Sequence, residues 1–206
     1  MLTPLLHNQM AESAVLLMDL QRDFLDREEG RMPVDERGAQ ATLRVANDVL
    51  SRRILADALP ILVKNQFPAA ARVANYFRNG AAICGTAGAE LDPRLERSGS
   101  ETVITKASPS AFSNPELQRY LHAHGVREIY VLGVFAEGCV RASVVEAAKL
   151  GYTVIVIADA VASNAAWKKA FALWAMARAG AKILPSLPPS SMSNSSVRST
   201  QAGEGR

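Results

Sequence analysis

The chain has little of what marks a metal site, a disulfide framework or a nucleic-acid surface. It carries three histidines, His7, His122 and His124, and two cysteines, Cys84 and Cys139. Two cysteines can form at most one bridge, and a chain with this much apolar sequence needs no staple, so free thiols in an intracellular protein are expected. No apolar run reaches membrane-spanning length, because Asp19, Lys64 and Asp159 interrupt the runs. Residues Met1 to Met10 lack the basic start and long apolar centre of a secretory signal, so a cytoplasmic location is expected. A net charge of +3, scattered arginines and no basic run interleaved with aromatics argue against a nucleic-acid partner. The first apolar run leads into Asp19-Leu20-Gln21-Arg22-Asp23 rather than a glycine-rich turn, so a dinucleotide pyrophosphate has no cradle. There is no P-loop and no internal repeat. These absences argue against membrane, dinucleotide and nucleic-acid partners.

What is present reads as one ordinary domain. Of the 206 residues, 49% are apolar and 21% charged, which is globular usage and enough for a sizeable core. Six short apolar runs alternate with helical patterns: Ala14–Met18, Leu59–Val63, Thr102–Thr105, Ile129–Leu132, Thr153–Ala158 and Ala181–Leu184. Several are rich in Val and Ile without polar alternation, as strands buried on both faces are. Between them, Leu43, Ala46, Leu50 and Ile54 recur at helical spacing. So do Leu117 and Leu121, then Cys139 to Ala148, then Phe171, Trp174 and Ala175. Asn114-Pro115-Glu116 reads as a helix start, and Gly125, Gly151 and Gly180 as helix ends. Alternating strand and helix predicts a three-layer α/β/α fold, a Rossmann-like open parallel sheet of about six strands in the order 3-2-1-4-5-6. The domain is expected over residues 1–184. The Pro/Ser-rich stretch 185–206 is expected to be a disordered tail. The long irregular stretch from Gln66 to Gly99 holds one helical pattern at Arg72–Phe77.

Three polar residues end apolar runs: Asp19, Lys106 and Cys139. In an open parallel sheet the strand C-termini share one edge, and ligands bind there. Each residue alone has a plain explanation: a turn aspartate, a surface lysine, a small buried thiol. Together they supply a base, a fixed positive charge and a nucleophile. Cys139 follows Gly133-Val134-Phe135-Ala136-Glu137-Gly138 and opens a helical pattern, a setting that favours a thiolate and can hold an oxyanion. Asp23 reads as a cap, and Glu137 as a carboxylate capping the following helix. The pair His122 and His124 falls at a helix end far from any strand C-terminus, so a solvated helix end is expected there. Phe24, Gln66, Phe112 and Phe135 lie just beyond strand ends and are the candidate substrate-binding walls.

The three blocks, in this order and each at a strand end, resemble the isochorismatase-like cysteine hydrolases. They are Met18-Asp19-Leu20-Gln21, Lys106 with Ser110-Ala111-Phe112, and Gly133 to Val140. Asp159-Ala160-Val161-Ala162-Ser163 adds to the likeness, which covers about residues 12–184. The resemblance implies an Asp19–Lys106–Cys139 catalytic triad. It also implies a non-proline cis peptide at Val134–Phe135 and an oxyanion hole from the Phe135 and Cys139 amides. It implies a homo-oligomer, dimer or tetramer, and a hydrolase of a small amide or carbamoyl compound. Isochorismatase-type vinyl-ether hydrolysis is the alternative, with Gln66 where some isochorismatases place a substrate-binding glutamine. A non-catalytic binding protein of the same fold is a third reading. Nicotinamidases of this superfamily bind a metal through an Asp and histidines after the second strand. Here that stretch reads Lys64-Asn65-Gln66-Phe67-Pro68, without histidine, so no metal and no cofactor are expected.

Overall fold

The apolar runs form a single parallel sheet. The computed structural model describes residues 11–187. Its strands are β1 (Ser13–Met18), β2 (Leu59–Asn65), β3 (Thr102–Lys106), β4 (Glu128–Val134), β5 (Thr153–Ala162) and β6 (Lys182–Leu184). They lie in the order β3-β2-β1-β4-β5-β6, and every neighbouring pair is parallel. The helices are α1 (Arg22–Leu25), α2 (Glu36–Leu50), α3 (Arg72–Phe77), α4 (Pro115–Ala123), α5 (Arg141–Lys149) and α6 (Ala166–Arg178).

Alternation along β1 divides the core in two. Val15 and Leu17 pack with Leu43, Ala46 and Val49 of α2. Ala14, Leu16 and Met18 pack on the other face, with Leu117 and Leu121 of α4, Val144 of α5 and Met176 of α6. Both faces of the sheet are thus covered, which is why its strands read as continuous apolar runs. The architecture is three-layer α/β/α. Asn114 caps α4 by accepting from the Glu116 amide, and Gly125, Gly151 and Gly180 end α4, α5 and α6 with positive φ. Among the described residues no helix is long and apolar enough to cross a membrane.

The structure departs from the sequence reading at particular places. Helix α2 ends at Leu50, so Ile54 is not part of it; Arg52 and Leu55 take positive φ just beyond. Cys139 does not open a regular α-helix. It lies in a wide π-type turn, Ala136–Val140, in which Gly138 is non-helical, and α5 starts only at Arg141. Strand β5 runs on to Ala162, and its register with β4 slips between Val131 and Gly133, leaving a bulge around Asp159. Pro185 accepts a hydrogen bond from the Asp159 amide at 3.0 Å, and Leu187 packs against the core. The domain therefore continues past Leu184. The rest of the expected tail, 188–206, lies outside the described residues.

One glycine sets how closely the two central strands approach at their carboxyl ends. Gly133 is opposite Met18 and has φ +124. A Cβ there would collide with the Met18 backbone. Only a residue without a side chain lets β4 close on β1 one residue before Asp19.

Candidate active site

The site is built where β1, β2, β3 and β4 end. Asp19 follows β1 in the left-handed region, with φ 55. Its amide donates to the Val63 carbonyl at 2.8 Å, and its own carbonyl accepts from the Gln21 amide at 2.8 Å. The carboxylate is thereby turned down between strand ends, where it is 1% exposed. Lys106, the last residue of β3, reaches across the end of β2. Its ammonium donates to Asp19 Oδ2 at 3.0 Å and to Asn65 Oδ1 at 2.8 Å. Asn65 closes the arrangement by donating from Nδ2 to Cys139 Sγ at 3.6 Å. Four residues from four strand ends thus form one connected polar group under an apolar wall.

Sequence reasoning singled out three of these four and missed Asn65. The signal was available: Asn65 ends β2 as Asp19 ends β1 and Lys106 ends β3. Gln21, also passed over, fixes it. The buried Gln21 amide accepts from the Asn65 amide at 2.8 Å and donates to the Asn65 carbonyl at 2.8 Å and the Ala89 carbonyl at 2.6 Å. Cys139 is held from its own side: Ser143 Oγ donates to the Cys139 carbonyl at 2.8 Å and accepts from the Ala111 amide at 2.9 Å.

The electrostatics differ from the expected ready-made thiolate. Burial raises the Asp19 carboxyl above its ordinary value, and the Lys106 charge opposes that rise. Burial, together with the neighbouring Asp19 carboxylate, pushes the Cys139 thiol up to about 12, against the pull of Lys106. The thiol therefore keeps its proton at neutral pH. Asp19 Oδ1 is buried without a hydrogen-bond partner, on the carboxylate oxygen that Lys106 does not hold. The arrangement is a protonated thiol beside a base that is steadied by a fixed positive charge.

A cavity of about 320 Å³ opens over this group, with Asp19, Asn65 and Cys139 in its lining and Phe24, Phe67 and Phe135 as aromatic walls. The Phe24 and Phe135 rings meet edge to face, with centroids 5.5 Å apart. The Val134–Phe135 peptide is cis. The Phe135 carbonyl accepts from the Gly138 and Val140 amides at 3.0 and 3.2 Å, which shapes the turn carrying Cys139. Lys106, whose side chain is fully buried, stands behind Asp19 rather than in the cavity lining.

Of the four expected walls, Phe24 and Phe135 line this cavity, and Gln66 and Phe112 do not. The chain leaves β2 at Asn65 and Phe67 pairs with Ile83; the Gln66 amide donates to the Lys106 carbonyl at 2.8 Å. The Gln66 side chain then meets Cys84, at 3.9 Å, and Phe67 takes the wall position. Phe112 sits in a tight turn at Ala111–Ser113 and packs into the core, its ring 6.0 Å from that of Tyr152. Two further expectations are corrected. Asp23 is not a cap: buried in α1, it accepts from the Ala82 amide at 2.7 Å and the Arg31 amide at 3.3 Å, tying down the loop beyond α3. Glu137 does not cap α5. It lines the cavity and faces Lys168 of α6 at 3.9 Å.

A parallel sheet in this order, with Asp, Lys and Cys gathered at its carboxyl edge beside an aromatic cavity, defines a Rossmann-like hydrolase. The chain belongs to the isochorismatase family: the Isochorismatase domain profile matches residues 13–186. It is 27% identical over 152 residues to the isochorismatase family protein YddQ of Bacillus subtilis, spanning 74% of this chain and 78% of that one. It is 32% identical over 164 residues to a probable inactive nicotinamidase of Arabidopsis thaliana, spanning 73% of this chain and 81% of the relative. The pyrazinamidase of Pyrococcus horikoshii, solved in complex with zinc, superposes with a TM-score of 0.74 at 28% identity, covering 84% of this chain and 98% of that one. Amide hydrolases are thus among its relatives. The zinc is not matched by a donor set here. Among the described residues no three His, Cys, Asp or Glu side chains gather to hold a metal ion. Asn65, Gln66 and Phe67, which follow the body of β2, are poor ligands for one.

Proposed function

We propose that this chain is a cysteine hydrolase that cleaves the C–N bond of a small amide or carbamoyl compound through a thioester on Cys139, without a metal. The observation that carries the reading is the Asp19 carboxylate, buried between the Lys106 ammonium and the Cys139 thiol at the cavity floor. Asp19 takes the thiol proton as Sγ attacks the substrate carbonyl carbon, and the electron pair of the C=O bond moves to oxygen. The Phe135 and Cys139 amides receive that oxyanion. As the intermediate collapses, the C–N bond breaks and Asp19 returns the proton to the departing nitrogen. Asp19 then takes a proton from water, whose oxygen attacks the thioester. Breaking the C–S bond gives the acid and restores the thiol. Lys106 holds the Asp19 carboxylate in place and compensates its charge throughout.

The test is a panel of small amides and ureido compounds assayed for ammonia release, with intact-protein mass spectrometry of quenched reactions. An acyl adduct on Cys139 during turnover is expected. Turnover by a Cys139→Ala variant would overturn the proposal. Vinyl-ether hydrolysis needs no adduct, and the Gln66 that suited it faces Cys84 instead of the cavity. A homo-oligomer, dimer or tetramer, belongs to the same proposal. Its support is the row Trp167, Phe171 and Trp174 on α6, each more than half exposed. Sedimentation that finds only monomer at micromolar concentration removes this part.

A further inference from the structure

We infer that Arg78 anchors a carboxylate on the substrate, so that the compound cleaved here is a small amide carrying a free acid group, such as the half-amide of a dicarboxylic acid. This narrows the amide-hydrolase reading above and rests on it. The balance of charge around the cavity carries the inference. Asp19, Arg78, Glu137 and Lys168 line it, and Lys106 stands behind Asp19. Asp19 is matched by Lys106 at 3.0 Å, and Glu137 by Lys168 at 3.9 Å. Lys168 also donates to Asn164 at 2.9 Å. Arg78 is left over: among the described residues it makes no ion pair.

Arg78 is nonetheless built in. Its guanidinium carbon lies 3.7 Å from the centroid of the Phe67 ring, stacked on a buried aromatic. Stacking covers one face of the planar group and leaves the N–H edge for a ligand. Nη1 donates to Asn75 Oδ1 at 3.3 Å, and the buried Asn75 donates in turn to the Pro68 carbonyl at 2.9 Å. The Gly80 amide donates to the Asn75 carbonyl at 2.8 Å, and Asp23 holds the Ala82 amide just beyond. The guanidinium is thus positioned before any ligand arrives. It has five N–H donors and spends one on Asn75, so a bidentate carboxylate pair remains open to it.

The walls fit the same substrate. Phe24, Phe135 and Met32 offer apolar surface between the two polar ends, and about 320 Å³ suits a spacer of a few carbons. A monoanion neutralises the one unmatched cation. A neutral diamide leaves it unmatched, and an amine adds a second.

The experiment compares succinamic and glutaramic acids with the corresponding diamides, succinamide and glutaramide, in the native protein and in Arg78→Gln and Arg78→Lys. Succinamic acid binding to Cys139→Ala, with and without Arg78→Gln, is measured by calorimetry. The native protein is expected to prefer the half-amides in kcat/KM by about 10- to 100-fold, the worth of a hydrogen-bonded charge pair. Arg78→Gln is expected to erase most of that preference through KM, since an anchor binds ground and transition states alike. Arg78→Lys, which keeps the charge and loses the fork, falls between. Cleavage of amides without preference, or a preference that survives Arg78→Gln, overturns the anchor and leaves the hydrolase reading standing. Arg78-dependent binding of succinamic acid without cleavage of any amide supports the anchor and overturns the amide-hydrolase reading. Binding that ignores Arg78 overturns the anchor whatever the turnover.

Discussion

The Lys106 ammonium lies 3.0 Å from Asp19 Oδ2, both side chains removed from solvent, although 87 residues separate them in the chain. Such a pair stabilises little against apolar residues of the same volume, yet deleting one partner strands the other charge at a cost of about 3–5 kcal/mol. Lys106→Met should therefore lower the unfolding free energy by roughly that amount, and Lys106→Met with Asp19→Asn should recover part of it. Denaturant titration of the two variants checks this. A double variant no more stable than Lys106→Met would contradict the stranded charge.

The same pair should act with Cys139 as one catalytic unit. Asp19→Asn keeps the shape but cannot accept a proton, and should lose on the order of 10²–10⁴ in rate. Groups that act as a unit are non-additive, so removing Asp19, Lys106 and Cys139 together should cost little more than the worst single change. Single-turnover hydrolysis by the three single variants and the triple variant decides it. Losses that multiply would show three independent residues and sink the triad.

The pH profile follows from the directions of the two shifts. Asp19 must be ionised to take the proton, and burial holds its carboxyl above the ordinary 3.8. The rate should therefore rise with pH through a limb centred above that value. The thiol, pushed up to about 12, should give no second limb near its ordinary 9.0. Iodoacetamide alkylation of Cys139 should follow the Asp19 limb and be suppressed in Asp19→Asn. A thiol that alkylates with a midpoint near 9 in both proteins would contradict base assistance.

Gly133 supplies a stability prediction with an internal control. Gly133→Ala meets the Met18 backbone at φ +124, whereas Gly151→Ala, at φ +90, meets nothing within 4 Å. The first combines backbone strain with a collision that has no flexible side chain to absorb it, and should cost on the order of 3 kcal/mol. The second should cost roughly 1–2 kcal/mol, the left-handed penalty alone. Thermal denaturation separates them, and equal shifts would show that the close approach of β4 to β1 is dispensable.

Much of this was legible in the sequence. The six strands and their parallel arrangement follow from runs such as Ala14–Met18, because a strand covered on both faces carries no polar alternation to obscure it. Asp19, Lys106 and Cys139 stood out because each ends such a run. The walls were less legible, for a physical reason. Whether Gln66 or Phe67 faces the cavity depends on the pairing of Phe67 with Ile83, a contact set by tertiary structure rather than by any local pattern. The raised thiol was hidden as well. The helix-terminus argument sets Cys139 beside positive charge, while the fold holds the half-buried thiol against a carboxylate as well.

Asn65 is the residue the sequence reading passed over, and its role can be tested apart from its packing. It accepts from Lys106 at 2.8 Å and donates to Cys139 Sγ at 3.6 Å, and its hydrogen bonds lower both the Asp19 and the Cys139 proton affinities. Asn65→Ala removes both contacts and should reduce kcat by about 10- to 100-fold, the range for losing a hydrogen bond to a charged group. A space-filling role would predict a similar loss of stability but no change in the titration. A positioning role predicts that the acid limb of kcat/KM moves to higher pH, because Asp19 loses a group that favours its ionised form. Asn65→Asp separates the two readings further. It keeps the volume and the acceptor for Lys106, deletes the donor to sulfur, and adds a like charge beside Asp19, so the limb should move further in the same direction. The measurement is the full pH profile of both variants against the native protein. If both variants keep the native limb, Asn65 only fills space between the strand ends, and the connected polar group reduces to Asp19, Lys106 and Cys139.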